Sequence, residues 1–280
     1  MSMTRLSAST TGPADIKRAI RERAQAGPLR RASCVLTAID AQTPSYARIT
    51  LQTDDLGDYI AQPADAFKLT LPEGPPMLRA LTVRAFDPDT GRVTVDVQRH
   101  DGALTDWLGA ARPGDRVELA GMRAEWALPE GIADVALVAD GSALPAAAAI
   151  IEGLPRSVRV TAYVAPPTAA DVALVPEHPG LTLRTVSGVA EVTAHAPRAA
   201  VTGRRLQVWI AAEAGEVRLL RRHVLAHWGV DRGDLLARAY WRAGATNTDI
   251  DTENIVRYRD AVAGGADRFD PALTEEIDLE

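Results

Sequence analysis

Two segments of the chain combine side chains and turns that can bind a phosphorylated ligand. In the first, Arg79 and Thr82 lie close together in a β-branched run, and a guanidinium group binds phosphate oxygens bidentately. In the second, His100 and Gly102 precede a short apolar helix with Thr105 near its start. A helix start offers free N–H groups to a phosphate, glycine lets the backbone approach closely, and threonine can cap the helix. A strand with solvent-facing arginines and an ordinary capped helix are the structural alternatives.

A third segment places small and polar residues between a strand and a helix. Asp140, Ser142 and Ala143 follow a continuous apolar strand, and Pro145 falls in the first turn of the predicted helix. Nucleotides bind at this location in open α/β sheets. A plain βα junction is the alternative, since any doubly wound fold contains several.

Aromatic and basic side chains also end the last predicted strand. Trp241 and Arg242 can line a cleft there, or they can simply pack at the sheet edge. His223 and His227 have the spacing of helical metal ligands, but Val224 stands where a metalloprotease helix has glutamate. We therefore predict no metal site.

The pattern of strands and helices predicts two domains. Short β-branched runs separated by Pro, Gly and Asp turns indicate a six-stranded antiparallel barrel over residues 32–125. The six predicted strands are 33–39, 47–53, 66–71, 81–86, 93–98 and 116–119. Strands then alternate with helices over 132–244, which indicates an α/β domain with a parallel sheet. Residues 1–31 form an N-terminal tail and helix, and 245–280 a C-terminal extension with one helix.

The first two segments resemble motifs of the siderophore-interacting proteins, which are FAD-dependent ferric-siderophore reductases of the ferredoxin-reductase type. The family motif Arg-x-Tyr-Thr/Ser-x-Arg is matched at Arg79, Thr82 and Arg84, and Leu81 stands in place of the aromatic residue. The segment from His100 to Trp107 is similar to the family's His-Gly-x-Gly-Pro-Ala-Ser-x-Trp.

The third segment carries the most specific similarity. The family form Gly-Asp-Glu-Thr-Ala-Leu-Pro-Ala is matched at Asp140 and at residues 143–146, and Ser142 replaces threonine conservatively. Ala139 and Gly141 depart from the family's glycine and glutamate.

The chain also resembles the family where it reaches Tyr240-Trp241-Arg242. Together the similarities cover about residues 32–244. They imply a barrel that holds FAD, an α/β domain that receives NADH or NADPH, and a ferric siderophore as substrate. No side chain need act as acid, base or nucleophile. The implied cofactor contacts are Arg79, Leu81, Thr82, His100, Gly102, Thr105, Asp140, Ser142, Ala143, Trp241 and Arg242.

Composition restricts the class of protein. The chain has 280 residues, a net charge of −6, 46% hydrophobic residues and one cysteine. The acidic balance argues against a nucleic-acid partner, and one cysteine excludes an internal disulfide or an all-cysteine iron–sulfur site. No apolar run is long enough to insert in a membrane and no secretory signal is visible, so we expect a cytoplasmic protein. We also expect a monomer or weak dimer.

Two other functions remain open from the sequence. Leu81 and Ala139 replace expected motif residues, and Ala212 replaces the glycine of the family's Trp-x-Ala-Gly-Glu-Ala segment, which begins here at Trp209. The chain could therefore be a binding module that retains the fold without the flavin. It could also be an NAD(P)H:flavin oxidoreductase for a different acceptor. In every flavin-based hypothesis, a cleft should lie between Arg79 and Thr82 on one side and Ser142 and Trp241 on the other.

Overall fold

The computed structural model describes residues 15–26, 30–70, 78–245 and 247–279, without the side chains of residues 78, 79, 247–249, 251 and 252. The strands are β1 (Arg30–Thr43), β2 (Tyr46–Gln52), β3 (Ala66–Thr70), β4 (Leu78–Thr82), β5 (Ala85–Asp87), β6 (Arg92–Gln98), β7 (Arg116–Arg123), β8 (Asp134–Asp140), β9 (Arg159–Ala165), β10 (Leu181–Thr185), β11 (Gln207–Glu213) and β12 (Leu235–Trp241). The helices are α1 (Ile16–Gln25), α2 (Ala103–Ala110), α3 (Leu144–Gly153), α4 (Arg198–Thr202), α5 (Ala214–His227), α6 (Asn247–Ala263) and α7 (Pro271–Leu279).

The first seven strands form one antiparallel sheet in the order β4-β3-β7-β1-β2-β6-β5. Its edge strands β4 and β5 are joined by two residues, which forces the sheet to curl on itself. Val83 N donates to Asp65 O at 2.7 Å and Arg84 N donates to Thr94 O at 2.8 Å across the closure. The predicted antiparallel barrel is therefore confirmed. Alternate side chains of β2 and β6, such as the paired Ile49 and Val95, are fully buried in its core.

The barrel has seven strands instead of the six that were predicted. The predicted run 81–86 divides into the end of β4 and the whole of β5, because the chain turns from one edge of the sheet to the other at Val83 and Arg84. A continuous β-branched run does not reveal such a turn, since neither Gly nor Pro marks it.

The second sheet is parallel, with five strands in the order β10-β9-β8-β11-β12. Helices cover both faces, which is why β8 and β11 are apolar and buried along almost their whole length. Ile150 of α3 packs on one face and Leu220 of α5 on the other. The chain crosses the sheet from β10 to β11, so the strand order reverses between β8 and β11, where open sheets of this kind bind ligands. The predicted α/β domain is confirmed.

Buried polar contacts join the two sheets. The hydroxyl of the fully buried Tyr46, on β2, donates to Gly141 O at the end of β8, and Thr43 donates to Asp171. Helix α1 adds a third connection, because Arg23 donates to Asp65 at 2.6 Å and to Ile60 O at 3.0 Å. The barrel and the α/β unit are thus held at a defined distance.

The C-terminal residues form two helices, α6 and α7, where the sequence predicted one. Glu275 of α7 is 1% exposed and lies 2.9 Å from Lys17 of α1. It also accepts from Arg221 of α5 at 2.5 Å. The extension is therefore anchored to both α1 and the α/β unit. Within the described part of the chain, no helix has the length and apolar character needed to cross a membrane.

The single cysteine is expected to be unreactive in the folded protein. Cys34 is fully buried in the barrel core, and burial raises the pKa of its thiol to about 11, so the reactive thiolate is scarce at neutral pH. Ellman's reagent at pH 8 should therefore label the native protein very slowly and should titrate one thiol per chain after denaturation. Rapid stoichiometric labelling of the native protein would show that this strand is accessible.

Candidate functional site

A cleft of about 1550 Å³ opens between the barrel and the α/β unit. Strands β3, β4 and β7 form one wall, the end of β12 forms the opposite wall, and helices α1, α6 and α7 close the remaining sides. Ligand pockets for single small molecules occupy about 300–1000 Å³, so this cleft has room for more than one ligand at a time.

The barrel wall of the cleft includes Leu81 and Thr82 on β4. These residues pair with Phe67 and Ala66 of β3, so the strand register fixes their position. Leu81 is half-buried and contacts the barrel core as well as the cleft, whereas Thr82 is buried. Arg79 lies on the same strand opposite Leu69, but its side chain is outside the described part of the structure.

The α/β wall of the cleft includes Trp241 and Arg242. Trp241 is 43% exposed, and its indole Nε1 donates to Asp140 Oδ2 at 2.7 Å. Arg242 Nη1 lies 3.9 Å from Glu253 Oε2, and its buried Nη2 has no hydrogen-bond partner among the described residues. The predicted proximity of the Asp140 segment to Trp241 is confirmed, and Arg242 retains capacity to bind an anion.

A charge cluster made of the buried Glu125 and Arg238 and the exposed Arg123 lines the cleft. Glu125 accepts from Arg123 Nε at 2.6 Å and from Arg238 Nε at 2.9 Å, and Glu125 and Arg238 are 3% and 5% exposed. Burial alone would raise the pKa of Glu125, but the two guanidinium groups hold that pKa below its usual value. The carboxylate therefore stays ionised and joins β12 to the segment that follows β7.

Tyr240 lines the cleft beside this cluster. Burial, and then the charge of Glu125, raises the pKa of its hydroxyl well above the usual range, so the group stays protonated. The hydroxyl is buried beside Thr82, and it makes no hydrogen bond of standard geometry among the described residues. A buried polar group left unpaired is costly, and a bound ligand that supplied an acceptor would remove that cost. The apolar Leu81 lines the same cleft, and an apolar and an aromatic side chain suit a planar flavin ring.

The turn that was predicted to hold a nucleotide phosphate is capped by its own carboxylate. Asp140 Oδ1 accepts from Ser142 N at 2.8 Å, Ser142 Oγ at 2.5 Å and Ala143 N at 3.3 Å. Gly141 packs so closely that an added Cβ would lie 2.7 Å from Pro167 Cγ and 2.9 Å from Gln98 Nε2. Asp140 reaches the cleft only through Trp241, and neither Ser142 nor the buried Ala143 lies among its lining residues.

The second helix at the switch point is capped in the same way. Glu213 Oε2 accepts from Gly215 N at 2.5 Å and Glu216 N at 3.1 Å, and Glu213 Oε1 accepts from Ala243 N at 3.2 Å. Burial, and then Asp140, raises the pKa of Glu216. Both helix starts therefore face carboxylates of the chain itself, and they do not fit the pyrophosphate of a dinucleotide, for which free N–H groups are needed.

The segment around α2 lies apart from the cleft, because His100, Gly102 and Thr105 are not among its lining residues. Gly102 is the N-cap of α2 with φ +140°, a backbone conformation that favours glycine. Thr105 does not cap the helix as predicted. It is tied to His100, accepting from His100 N at 3.1 Å and donating to His100 O at 2.5 Å. No side chain caps α2, so no side chain competes with a phosphate for the N–H groups at its start. Binding of a phosphate by this helix stays a prediction.

Several cleft residues were missed by the sequence analysis. The pairing of Glu125 with Arg238 joins positions 113 residues apart, and no motif marks it. The contributions of α6 and α7 were also missed, since the predicted C-terminal helix has no local pattern that points to the cleft.

Leu81 occupies the position where the related motif has an aromatic residue, and it lines the cleft. Leu81→Tyr is expected to tighten FAD binding by about 1 kcal/mol, the scale of an aromatic stacking contact. Fluorescence titration with FAD measures the effect, with Leu81→Met as a control of similar volume. Weaker binding by the tyrosine variant would show that overpacking against the barrel core outweighs stacking.

Two family models match the chain in adjacent segments. Residues 72–126 match the siderophore-interacting FAD-binding domain, and residues 132–244 match the siderophore-interacting protein model. The ferric acinetobactin reductase of Acinetobacter baumannii is 23% identical over 259 residues, covering 88% of this chain and 90% of that protein.

Solved structures agree with these matches. The siderophore-interacting protein from Acinetobacter baumannii superposes with a TM-score of 0.74 at 21% identity, covering 84% of this chain and 99% of that one. A siderophore utilization protein from T. fusca has a TM-score of 0.63 at 29% identity, covering 79% of this chain and 96% of that one. The two family models together match residues 72–126 and 132–244, and the chain belongs to the siderophore-interacting protein family.

Proposed function

We propose that the protein is an FAD-dependent oxidoreductase that reduces ferric siderophores with electrons from NADH or NADPH. One observation carries the proposal. In a chain that matches the FAD-binding model over residues 72–126 and the siderophore-interacting model over 132–244, the cleft has Leu81 and Thr82 on one wall and Trp241 and Arg242 on the other.

Different cleft residues would bind the cofactor and the substrate. Leu81 and Thr82 would support the flavin ring from the barrel, and Tyr240 would offer its unpaired hydroxyl at the base of the cleft. FAD supplies the redox chemistry, because it accepts a two-electron hydride and passes electrons on one at a time. Glu125 and Arg238 fix β12, and Arg242 would attract a negatively charged group of the substrate.

Reduction of the substrate releases its metal. One hydride carries two electrons and reduces two ferric ions to two ferrous ions. Ferrous iron is softer and binds hard oxygen chelators less tightly than ferric iron, so the reduced metal dissociates. In this reaction the chain need not supply an acid, base or nucleophile.

The electron donor, NADH or NADPH, would have to bind at a site other than the two capped helix starts. Because Asp140 and Glu213 already occupy the N–H groups there, a pyridine nucleotide would have to place its phosphates elsewhere. Arg242, whose Nη2 has no hydrogen-bond partner among the described residues, is our candidate to bind them. Isothermal titration with NADH and NADPH tests this part of the proposal on its own.

The experiment measures two quantities, the FAD content of the protein and the rate of NAD(P)H oxidation. The purified protein should be yellow or should take up one FAD per chain, and it should oxidise NAD(P)H faster when a ferric chelate is present, with ferrous iron trapped by a colorimetric ligand. Lack of any FAD binding would contradict the proposal and favour a binding module. FAD reduction without ferrous iron would favour an oxidoreductase for another acceptor.

Arg79→Ala is expected to lower FAD affinity about tenfold, because we propose that its guanidinium contacts the phosphate or ribityl part of FAD, as the family motif implies. Arg92→Ala is the matched control, since Arg92 is an exposed barrel arginine outside the cleft. FAD fluorescence titration measures both. Equal FAD affinity for wild type and Arg79→Ala would show that this motif position does not bind the cofactor.

A further inference from the structure

Apolar side chains are exposed around the outer part of the cleft. Among the cleft residues Ile60 is 75% exposed, Ile255 46% and Trp241 43%, and the half-buried Tyr258 and Phe269 line the same space. We call these five residues the outer subsite. Contiguous exposed apolar surface on a soluble protein commonly marks a binding groove.

Polar contacts from helix α1 hold parts of the outer subsite in place. In helix α1, Arg23 donates to Ile60 O at 3.0 Å. Arg21 of the same helix forms an ion pair at 2.9 Å with Asp270, the residue that follows Phe269. Both contacts start from helix α1, so this helix holds Ile60 and the segment of Phe269 at the cleft.

The aromatic members of the outer subsite have fixed orientations. Tyr258 donates its hydroxyl to Arg268 O at 2.7 Å, and the Arg268 guanidinium stacks over the Phe269 ring at 4.6 Å. The indole of Trp241 is held by Asp140. Aromatic faces that are already oriented bind other aromatic rings at a low cost in conformational entropy.

The size of the cleft leaves space for this second ligand. At about 1550 Å³ it exceeds the space that one small molecule occupies, and three members of the outer subsite, Ile255, Tyr258 and Phe269, belong to the C-terminal extension. A ligand bound here would be next to a flavin held by Leu81 and Thr82.

We propose that the outer subsite binds the aryl-bearing organic shell of the ferric chelate, and that the C-terminal extension is thereby part of the substrate site. The inference rests on the proposed function, because it names the class of chelate that the reductase accepts. A chelate with aromatic rings around its metal centre would stack on Trp241, Tyr258 and Phe269 and cover Ile60 and Ile255. A chelate with only small aliphatic groups would leave these surfaces in water.

The test uses redox-inert gallium(III) complexes, so that binding is measured without turnover. The tris(benzohydroxamate) and tris(acetohydroxamate) complexes are both neutral and differ in a phenyl or methyl group. Titration calorimetry of the FAD-saturated protein should show about tenfold tighter binding of the benzohydroxamate complex. Ile60→Ser and Ile255→Ser should each reduce that preference by about threefold to tenfold, since each removes apolar area that the rings cover.

Matched controls separate this effect from general changes in the surface. Val201 is 75% exposed, like Ile60, and Val256 is 54% exposed and adjacent to Ile255, yet neither lines the cleft. Val201→Ser and Val256→Ser should leave the preference unchanged. Equal binding of the two complexes by wild type, or equal losses in the control variants, would overturn the outer subsite and leave the reductase proposal intact. Binding of neither complex would contradict both.

Discussion

Replacing Glu125 with glutamine is expected to lower the free energy of unfolding by about 3 kcal/mol. Removing one partner of a buried ion pair leaves an uncompensated charge, which costs more than the pair itself contributes. The charges left behind are those of Arg123 and Arg238. Arg238 is 5% exposed, and its other hydrogen bond among the described residues is a long one of 3.5 Å to Pro271 O.

Urea unfolding followed by circular dichroism measures this change. Glu118→Gln is the control, because Glu118 is an exposed acid on the neighbouring strand β7. Substitutions at exposed positions usually change the free energy of unfolding by less than about 0.5 kcal/mol. Equal stability of the Glu125 and Glu118 variants would show that the buried cluster does not hold the two sheets together.

The pH dependence provides a second signature of the same carboxylate. The folded-state pKa of Glu125 lies below its unfolded value of about 4.3, so its contribution is fully present above that value and is lost as pH falls through the folded pKa. The stability difference between wild type and Glu125→Gln should therefore shrink on acidification below about pH 4. A difference that stays constant from neutral to strongly acidic pH would contradict the assigned ionisation.

Replacing Arg242 with glutamine is expected to slow ferric chelate reduction by about 10-fold to 100-fold, the scale of a lost charge-assisted hydrogen bond. The reason is that its buried Nη2 has no partner among the described residues and its nearest carboxylate, on Glu253, is 3.9 Å away. FAD content should change far less than the rate, because Arg242 lies on the wall opposite Leu81 and Thr82.

Steady-state reduction at saturating electron donor, together with the visible flavin spectrum, separates the two effects. Arg242→Lys should retain part of the rate, since it keeps the charge without the bidentate geometry. Arg222→Gln, an exposed arginine of α5 outside the cleft, is the control. Loss of FAD in proportion to loss of rate would place Arg242 in the flavin site instead.

The sequence predicted the fold well because periodicity and turn residues determine it locally. The apolar runs of β8 and β11 and the alternation along β2 and β6 are visible without any tertiary information. The split of 81–86 into β4 and β5 was missed, since only the closure of the barrel requires a turn there.

The candidate site was predicted less completely, for physical reasons. A motif shows which residues share a turn, but it does not show which atoms already have partners. Asp140 matches its motif and yet caps the helix start that a phosphate would need. Glu125, Arg238 and the helices of the C-terminal extension entered the site through long-range packing, which leaves no local pattern.

The most direct test of the central claim is a single anaerobic turnover with ferrous iron trapped. FAD-saturated protein is reduced with one equivalent of NADH or NADPH, then mixed with a ferric chelate while the flavin spectrum and the trapped ferrous iron are recorded together. The proposed function predicts that the flavin band bleaches with the donor and returns with the chelate, releasing two ferrous ions per flavin. A band that bleaches and does not return, with no ferrous iron formed, would contradict it.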